Sequence, residues 1–207
     1  MAGLPPGDYK ELQHVLGDVL QVAGYKLAGE EGTIIWQHAA DLDRFPKPLL
    51  SKMVREGLQQ ILIGPGSVAE FPGYEALGKE QVPGYPRGTT WLDIAGAYDR
   101  KTQTVILGPR PVVDEHLAVH EVAHALIDLL GYVGDFRVDE EYRRLFPELH
   151  DFYKIGHRQS TRGKVEFLAD SVAYVILYQD VTPSNFHPEF LRFIRETMLT
   201  GRTPRAK

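Results

Sequence analysis

The chain has 207 residues, 43% of them hydrophobic, and a formal net charge of −5 at pH 7. This length and apolar content predict one compact domain over residues 1–207. The acidic balance argues against the basic surface typical of nucleic-acid-binding proteins, and no apolar run approaches the roughly 18 residues of a membrane span. No cysteine is present, which excludes a disulfide framework and thiolate metal ligands.

The N-terminal half is predicted to contain short helices and strands. Residues 8–22 have a helical apolar period and are expected to form the first helix. Residues 33–36 are β-branched and aromatic, which predicts the first strand. A second helix is expected over residues 46–58, where two prolines mark its start, and a buried strand follows over residues 60–63.

A long loop and a hairpin are predicted next. Residues 64–90 are rich in glycine and proline but include several aromatic side chains, which indicates an ordered and functional surface loop. Strands are expected over residues 90–98 and 103–107, joined by a turn at residues 99–102. The exposed edge of such a hairpin could pair with an extended peptide backbone.

The apolar segment 117–130 contains the motif H-E-x-x-H, from His120 to His124. Helical residues four apart share a face, so both imidazoles could bind one metal ion, while Glu121 serves as general base for a water molecule. The alternative is an amphipathic helix with polar residues on its outer face. Asp114 is expected to cap the helix N terminus.

A second apolar helix carries Glu166 and Asp170 on one face. Because a buried carboxylate is costly unless it is paired or bound to a metal, Glu166 is a candidate third ligand. Asp170 could orient a ligand histidine through its other ring nitrogen. The alternative for both is an exposed polar stripe. A third histidine ligand six residues after His124 is excluded, because Leu130 occupies that position.

The remaining segments are predicted to be mainly helical. Residues 138–154 are expected to form one or two polar helices, and residues 156–163 a polar loop. A final helix is expected to start after Pro188 and end near Gly201. The predicted elements therefore indicate an α+β protein with a helical C-terminal half.

Four stretches resemble, in order, the catalytic-domain family of anthrax lethal factor, and within it the compact Pro-Pro endopeptidases. They are residues 61–68, the V-P-G-Y and T-W-L-D-I-A-G segments within 82–96, the H-E-V-A-H helix, and E-F-L-A-D-S at 166–171. The resemblance extends from about residue 45 to about residue 180. It implies a zincin-like metalloprotease fold, in which a small, mostly antiparallel sheet accompanies an active-site helix.

The resemblance also implies a ligand set and a function. One zinc ion would be held by His120, His124 and Glu166, with Glu121 as the general base. The implied activity is that of a zinc metalloendopeptidase acting on an extended peptide or protein substrate, with Pro-Pro-type specificity. The alternative is a weak or inactive metalloprotease-fold domain that binds a peptide or partner protein, and a third hypothesis is a regulatory protease with one intracellular partner.

Two aromatic residues, Tyr85 and Trp91, are the expected substrate contacts. The family places a tyrosine seven residues before the ligand glutamate to stabilise the oxyanion, and this chain has Gln159 there. His157 is the candidate replacement, with Tyr153 and Arg158 as alternatives.

Two expectations concern cellular location. The first residues have neither the basic nor the apolar segment of a signal peptide, which predicts a cytoplasmic protein. The resemblance implies a secreted protein if a signal precedes Met1.

Overall fold

The structure, a computed structural model, describes residues 7–23, 29–83, 85–109, 116–149, 154, 161–178 and 186–202. Within these residues the protein has seven α-helices and one four-stranded sheet. The α+β class predicted from the sequence is therefore confirmed. None of the helices in the described ranges is long and apolar enough to cross a membrane.

The sheet contains β1 (Leu20–Val22), β2 (Gln60–Ile63), β3 (Gly96–Asp99) and β4 (Thr104–Leu107), in the order β1-β2-β4-β3. The β1–β2 and β2–β4 pairs are parallel, and only β3–β4 is antiparallel. The expectation of a mostly antiparallel sheet is wrong, because long connections return the chain to β2 and β4 in the same direction. Strand β3 is left at an edge of the sheet.

The first helix is shorter than predicted. Helix α1 covers Gly7–Leu16 and is followed by a 3-10 turn over Gly17–Val19. Gly17 has φ +56°, a left-handed conformation that ends helices and suits glycine. After the 3-10 turn, the chain becomes extended, and Leu20–Val22 form β1.

The predicted strand at residues 33–36 is wrong, because these residues lie within helix α2 (Glu30–Asp43). Ile35, Ala39 and Leu42 are buried at positions i, i+4 and i+7, the period of a helical face. This periodicity outweighs the local strand preference of the β-branched residues.

Helix α2 also buries a polar pair. His38 is 4% exposed, and its Nε2 lies 3.1 Å from the Gly108 carbonyl oxygen, to which it donates. Burial lowers the pKa of His38, so the ring is held neutral. Burial also raises the pKa of Asp41, whose Oδ1 accepts a hydrogen bond from Gln37.

Other predicted elements are confirmed. Helix α3 (Lys47–Arg55) has proline in its first turn, and β2 has the predicted bounds. The hairpin of β3 and β4 is present, although β3 begins only at Gly96, because residues 91–93 form a 3-10 turn. The long loop contains two more short 3-10 turns, at residues 68–70 and 75–79.

Helix α4 (Leu117–Leu129) packs between the β3–β4 hairpin and helix α6 (Thr161–Leu177). Eight of its residues are buried, which fixes the direction of its polar face. His116 precedes the helix as its N-cap residue, and the predicted cap Asp114 lies outside the described residues.

The C-terminal half is helical, as predicted. Helix α5 (Phe136–Leu145) packs against α6 and against α7 (Pro188–Phe193), which continues as a π-helical segment to Met198. The last helix therefore begins at the predicted proline and ends shortly before Gly201.

Candidate metal centre

The H-E-x-x-H motif lies on the partly exposed side of α4. His120 and His124 are one helical turn apart, and their side chains are 15% and 13% exposed. Glu121 is 8% exposed and lines the same cavity as the two histidines. Because the other faces of α4 are apolar and buried, the fold holds these three polar side chains at the cavity floor.

Glu166, in the second turn of α6, completes a cluster of three donor atoms. The Nε2 atoms of His120 and His124 are 2.9 Å apart, and Glu166 Oε2 lies 3.4 Å and 3.2 Å from them. Zinc ligands at about 2.0–2.1 Å in a tetrahedral arrangement are about 3.3–3.4 Å from one another. The three residues therefore fit a divalent metal in both donor type and spacing.

Asp170 lies one turn after Glu166 and contacts His120 at Nδ1, the ring nitrogen that is not part of the cluster. Its Oδ1 is 2.5 Å from His120 Nδ1. A proton on Nδ1 donates to this carboxylate and leaves the Nε2 lone pair directed towards the cluster. One face of α6 thus supplies both a candidate ligand, Glu166, and a carboxylate that could orient a second candidate ligand, His120.

The charges in the cluster stabilise one another. Burial lowers the pKa of His120, but hydrogen bonds with Asp170 and Glu166 outweigh it and hold that pKa well above its usual value. Burial disfavours ionised Glu166, yet hydrogen bonds from His120 and His124 hold its pKa well below its usual range. The ionised Glu166 carboxylate is a suitable ligand for a dication, and binding of the ion would release the second proton of His120.

A cavity of about 580 Å³ opens above the cluster. Its walls come from the β3 edge, the first turn of α6 and the loop 82–91. This volume lies within the range of about 300–1,000 Å³ typical of binding sites for small ligands. The candidate metal ligands therefore lie at the bottom of a cavity that could admit part of a peptide.

The structure places both predicted substrate contacts, Tyr85 and Trp91, in the wall of this cavity. Tyr85 is 41% exposed, and the pKa of its hydroxyl is raised by partial burial and by the charges of Glu166 and Glu121. The hydroxyl is thus kept protonated and remains a hydrogen-bond donor. Trp91 packs against a small apolar cluster that includes Val68.

The loop that carries Tyr85 is held at several points. Gln81 bonds through its side chain to Pro86 O at 3.0 Å and to Gly88 N at 2.7 Å. Arg162 Nη2 donates to Pro83 O at 2.6 Å and so joins this loop to α6. Arg162 was not predicted as a site residue, because residues 156–163 were expected to form a loop. Helix α6 in fact begins at Thr161, which places Arg162 one turn before Glu166 on the same helical face.

A second group that sequence analysis missed lies further along the cavity wall. Tyr98 donates through its hydroxyl to Asp128 Oδ2 at 3.0 Å, and Arg100 Nε lies 2.7 Å from Asp128 Oδ1. Partial burial and the neighbouring Asp128 carboxylate raise the pKa of Tyr98. The only signal in the sequence was the spacing of Asp128, one helical turn after His124.

The predicted oxyanion donor cannot be placed by this structure. His157 lies outside the described residues, together with Tyr153, Arg158 and Gln159. The role of His157 therefore stays a prediction.

Comparisons with known proteins show the fold. No family model matches the chain, and no curated protein sequence matches it. Among solved structures, the chain is similar to the Pro-Pro endopeptidase PPEP-2 from Paenibacillus alvei, with a TM-score of 0.65 and 16% sequence identity. The match covers 88% of this chain and 98% of that chain. The protein therefore shares its fold with an endopeptidase.

Proposed function

We propose that this protein is a zinc-dependent metalloendopeptidase, a hydrolase of peptide bonds in extended substrates, related to the lethal-factor-like proteases. The observation that carries the proposal is the cluster of His120, His124 and Glu166 at the floor of an open cavity. Glu121 beside that cluster and the fold shared with an endopeptidase support it.

The chain would hold the ion through the two Nε2 atoms and the Glu166 carboxylate. Bound zinc would lower the pKa of a coordinated water and polarise the scissile carbonyl. Asp170 fixes the tautomer of His120, and the two histidines keep Glu166 ionised. Two histidines and one carboxylate also accept other divalent ions, and zinc is proposed because this set is common in zinc hydrolases.

Glu121 would carry the protons of the reaction. As a general base it accepts a proton from the attacking water, and as a general acid it then donates that proton to the leaving amine. Proton transfer by one positioned group typically contributes about 10²- to 10⁴-fold to the rate. Its position on α4, next to His120 and at the cavity floor, suits this role.

The edge of β3 would bind the substrate backbone. Gly96, Ala97 and Tyr98 line the cavity, and among the described residues β3 has a strand partner on one side only. An extended peptide can add to such an edge through main-chain hydrogen bonds. Tyr85 would supply a hydroxyl donor on the opposite wall, and Trp91 an apolar contact. Because the similar structure is a Pro-Pro endopeptidase, peptides with Pro-Pro sequences are the first substrates to test.

Digestion of a mixed peptide library, including Pro-Pro sequences, tests the proposal. Zinc-loaded wild-type protein is compared with Glu121→Gln and with a matched control, Glu140→Gln, which changes an exposed residue of α5. We expect products, detected by mass spectrometry, from the wild type and the control, and almost none from Glu121→Gln or after chelation.

Products that are unaffected by Glu121→Gln or by metal removal would contradict the proposal. Bound zinc and bound peptide without any cleavage would instead favour a metalloprotease-fold domain that binds a peptide or partner protein.

A further inference from the structure

An arginine stands in the cavity wall just beyond the edge strand. Arg100 follows β3 directly, lines the cavity and has a side chain that is 82% exposed. Its Nε is 2.7 Å from Asp128 Oδ1, while Asp128 Oδ2 accepts the hydrogen bond from Tyr98. Both oxygens of Asp128 are thus engaged, one of them in holding the guanidinium at the cavity wall.

The guanidinium keeps most of its binding capacity. Arginine has five N–H donors, and the contact with Asp128 uses Nε. No hydrogen bond joins the two Nη groups of Arg100 to any residue that the structure describes. A guanidinium presented in this way matches the two oxygens of a carboxylate better than any other common group in a peptide.

Helix geometry gives the distance from this arginine to the candidate metal centre. Asp128 lies four residues after His124 and eight after His120 on the same helical face. At about 1.5 Å per residue, these separations are about 6 Å and 12 Å along the helix axis. An extended peptide advances about 3.4 Å per residue, so Arg100 would face a residue about two to four positions from the scissile bond.

The direction of β3 indicates which side of the scissile bond that residue occupies. A Cβ at Gly96 would lie 3.0 Å from Leu117, the first residue of α4, whereas Tyr98 reaches Asp128 near the helix end. Strand β3 and helix α4 therefore run in similar directions. A peptide that pairs antiparallel to β3, as β4 does on the other edge, would place its N-terminal part at Arg100.

We propose that Arg100 binds the side-chain carboxylate of an Asp or Glu about two to four residues N-terminal to the scissile bond. The preferred substrates are then peptides with an acidic residue before the cut site. This inference rests on the proposed endopeptidase function, and it adds a substrate class that the metal cluster itself does not determine.

The test uses short synthetic peptides that carry a single Glu, Gln or Lys at each position around the cut site, with an amidated C terminus. The zinc-loaded wild type is compared with Arg100→Ala and Arg100→Glu. Lys101→Ala is the matched control, because it removes the same charge from the adjacent turn residue, which does not line the cavity.

We expect kcat/KM to be about three- to tenfold higher for Glu than for Gln at one position N-terminal to the cut, as for an exposed charge-assisted contact. Arg100→Ala should abolish this preference, Arg100→Glu should shift it towards Lys, and Lys101→Ala should retain it. The preference should fall in about 1 M salt, where the Debye length is about 3 Å.

Equal cleavage of the Glu and Gln peptides at every position would overturn the inference and leave the proposed function intact. A preference that instead follows a free C-terminal carboxylate, tested with non-amidated peptides, would also overturn it. If no peptide is cleaved, the proposed function fails. Binding of the same peptides, made with a fluorescent label and followed by fluorescence anisotropy, then still decides whether Arg100 selects Glu over Gln.

Discussion

Replacement of Asp170 should weaken metal binding although Asp170 is not a candidate ligand. Its carboxylate lies 2.5 Å from His120 Nδ1, a distance typical of a short charge-assisted hydrogen bond. Removing such a partner of a ligand histidine typically costs about 10- to 100-fold in metal affinity. The Asp170 side chain is 35% exposed, so solvent screens the contact. We therefore expect Asp170→Ala to lower the affinity for zinc by about 10- to 30-fold.

The amide variant gives a second, smaller value from the same contact. Asp170→Asn keeps an oxygen that accepts from Nδ1 but loses the charge, and a neutral hydrogen bond has about half the strength of a charge-assisted one. Half of the free energy corresponds to the square root of the affinity change, so we expect a loss of about three- to fivefold. The affinity for zinc should therefore decrease in the order wild type, Asp170→Asn, Asp170→Ala.

Zinc affinity is measured by competition with a chromophoric chelator at constant pH, after circular dichroism has shown that each variant is folded. Asp128→Asn is the control, because it removes a negative charge from the same cavity without contact with the cluster. An affinity of Asp170→Ala within about twofold of the wild type would refute the orienting role. An equal loss in Asp128→Asn would show that general electrostatics, rather than the contact with His120, is responsible.

Two further predictions concern stability. Zinc at about one hundred times its Kd should add about 2.7 kcal/mol to the free energy of unfolding. The resulting rise in melting temperature, measured by calorimetry, should be mostly lost in Glu166→Gln. A wild type without a zinc-dependent rise would contradict this prediction. Because burial lowers the pKa of His38, the unfolded chain binds the proton more tightly, and stability present above about pH 6.5 is lost as the pH falls below it. As the pH is lowered below about 6.5, the free energy of unfolding from denaturant titrations should decrease more steeply in the wild type than in His38→Gln. The difference in slope should be up to about 1.4 kcal/mol per pH unit. Parallel pH curves for the two proteins would contradict this second prediction.

The helices that carry the candidate site were predictable because two patterns coincide there. The apolar period over residues 117–130 predicts a helix, and the H-E-x-x-H spacing requires one. The same agreement holds for α6, where Glu166 and Asp170 are polar residues four apart in an apolar segment. Local spacing therefore identified which side chains share a face before any tertiary contact was considered.

The sheet was less predictable, because its strands are too short to show a period. Strand β1 has three residues, and its Leu20 continues the spacing of Leu12 and Leu16, so the helical pattern extends into the strand. The change of structure is made by Gly17, whose left-handed conformation the sequence pattern does not reveal. Pairing direction was also undetermined, because it depends on the path of the connections.

The cavity walls were predicted only in part, because their contacts join distant segments. Arg162 and Pro83 are 79 residues apart in the chain, and Tyr98 and Asp128 are 30 apart. A sequence shows that a loop is aromatic or that a turn is charged, but the partner of each side chain is set by the packing of α4 against the sheet and α6. Tyr85 and Trp91 could thus be named in advance, whereas Arg100 could not.

The residues at the cavity floor and those in its walls are held to different degrees, and this affects what substitutions in each should do. The candidate ligands lie on two helices whose other faces are buried, and Glu166 and Asp170 share one face of α6. Any rotation of α6 against α4 would displace the candidate ligand Glu166 together with Asp170, so the packing of these two helices fixes the geometry of the cluster. Arg100 and Tyr85 are instead exposed, at 82% and 41%, and each can be changed without repacking the core. Substitutions in the walls should therefore alter which peptides bind, while the affinity of the cluster for metal stays close to that of the wild type.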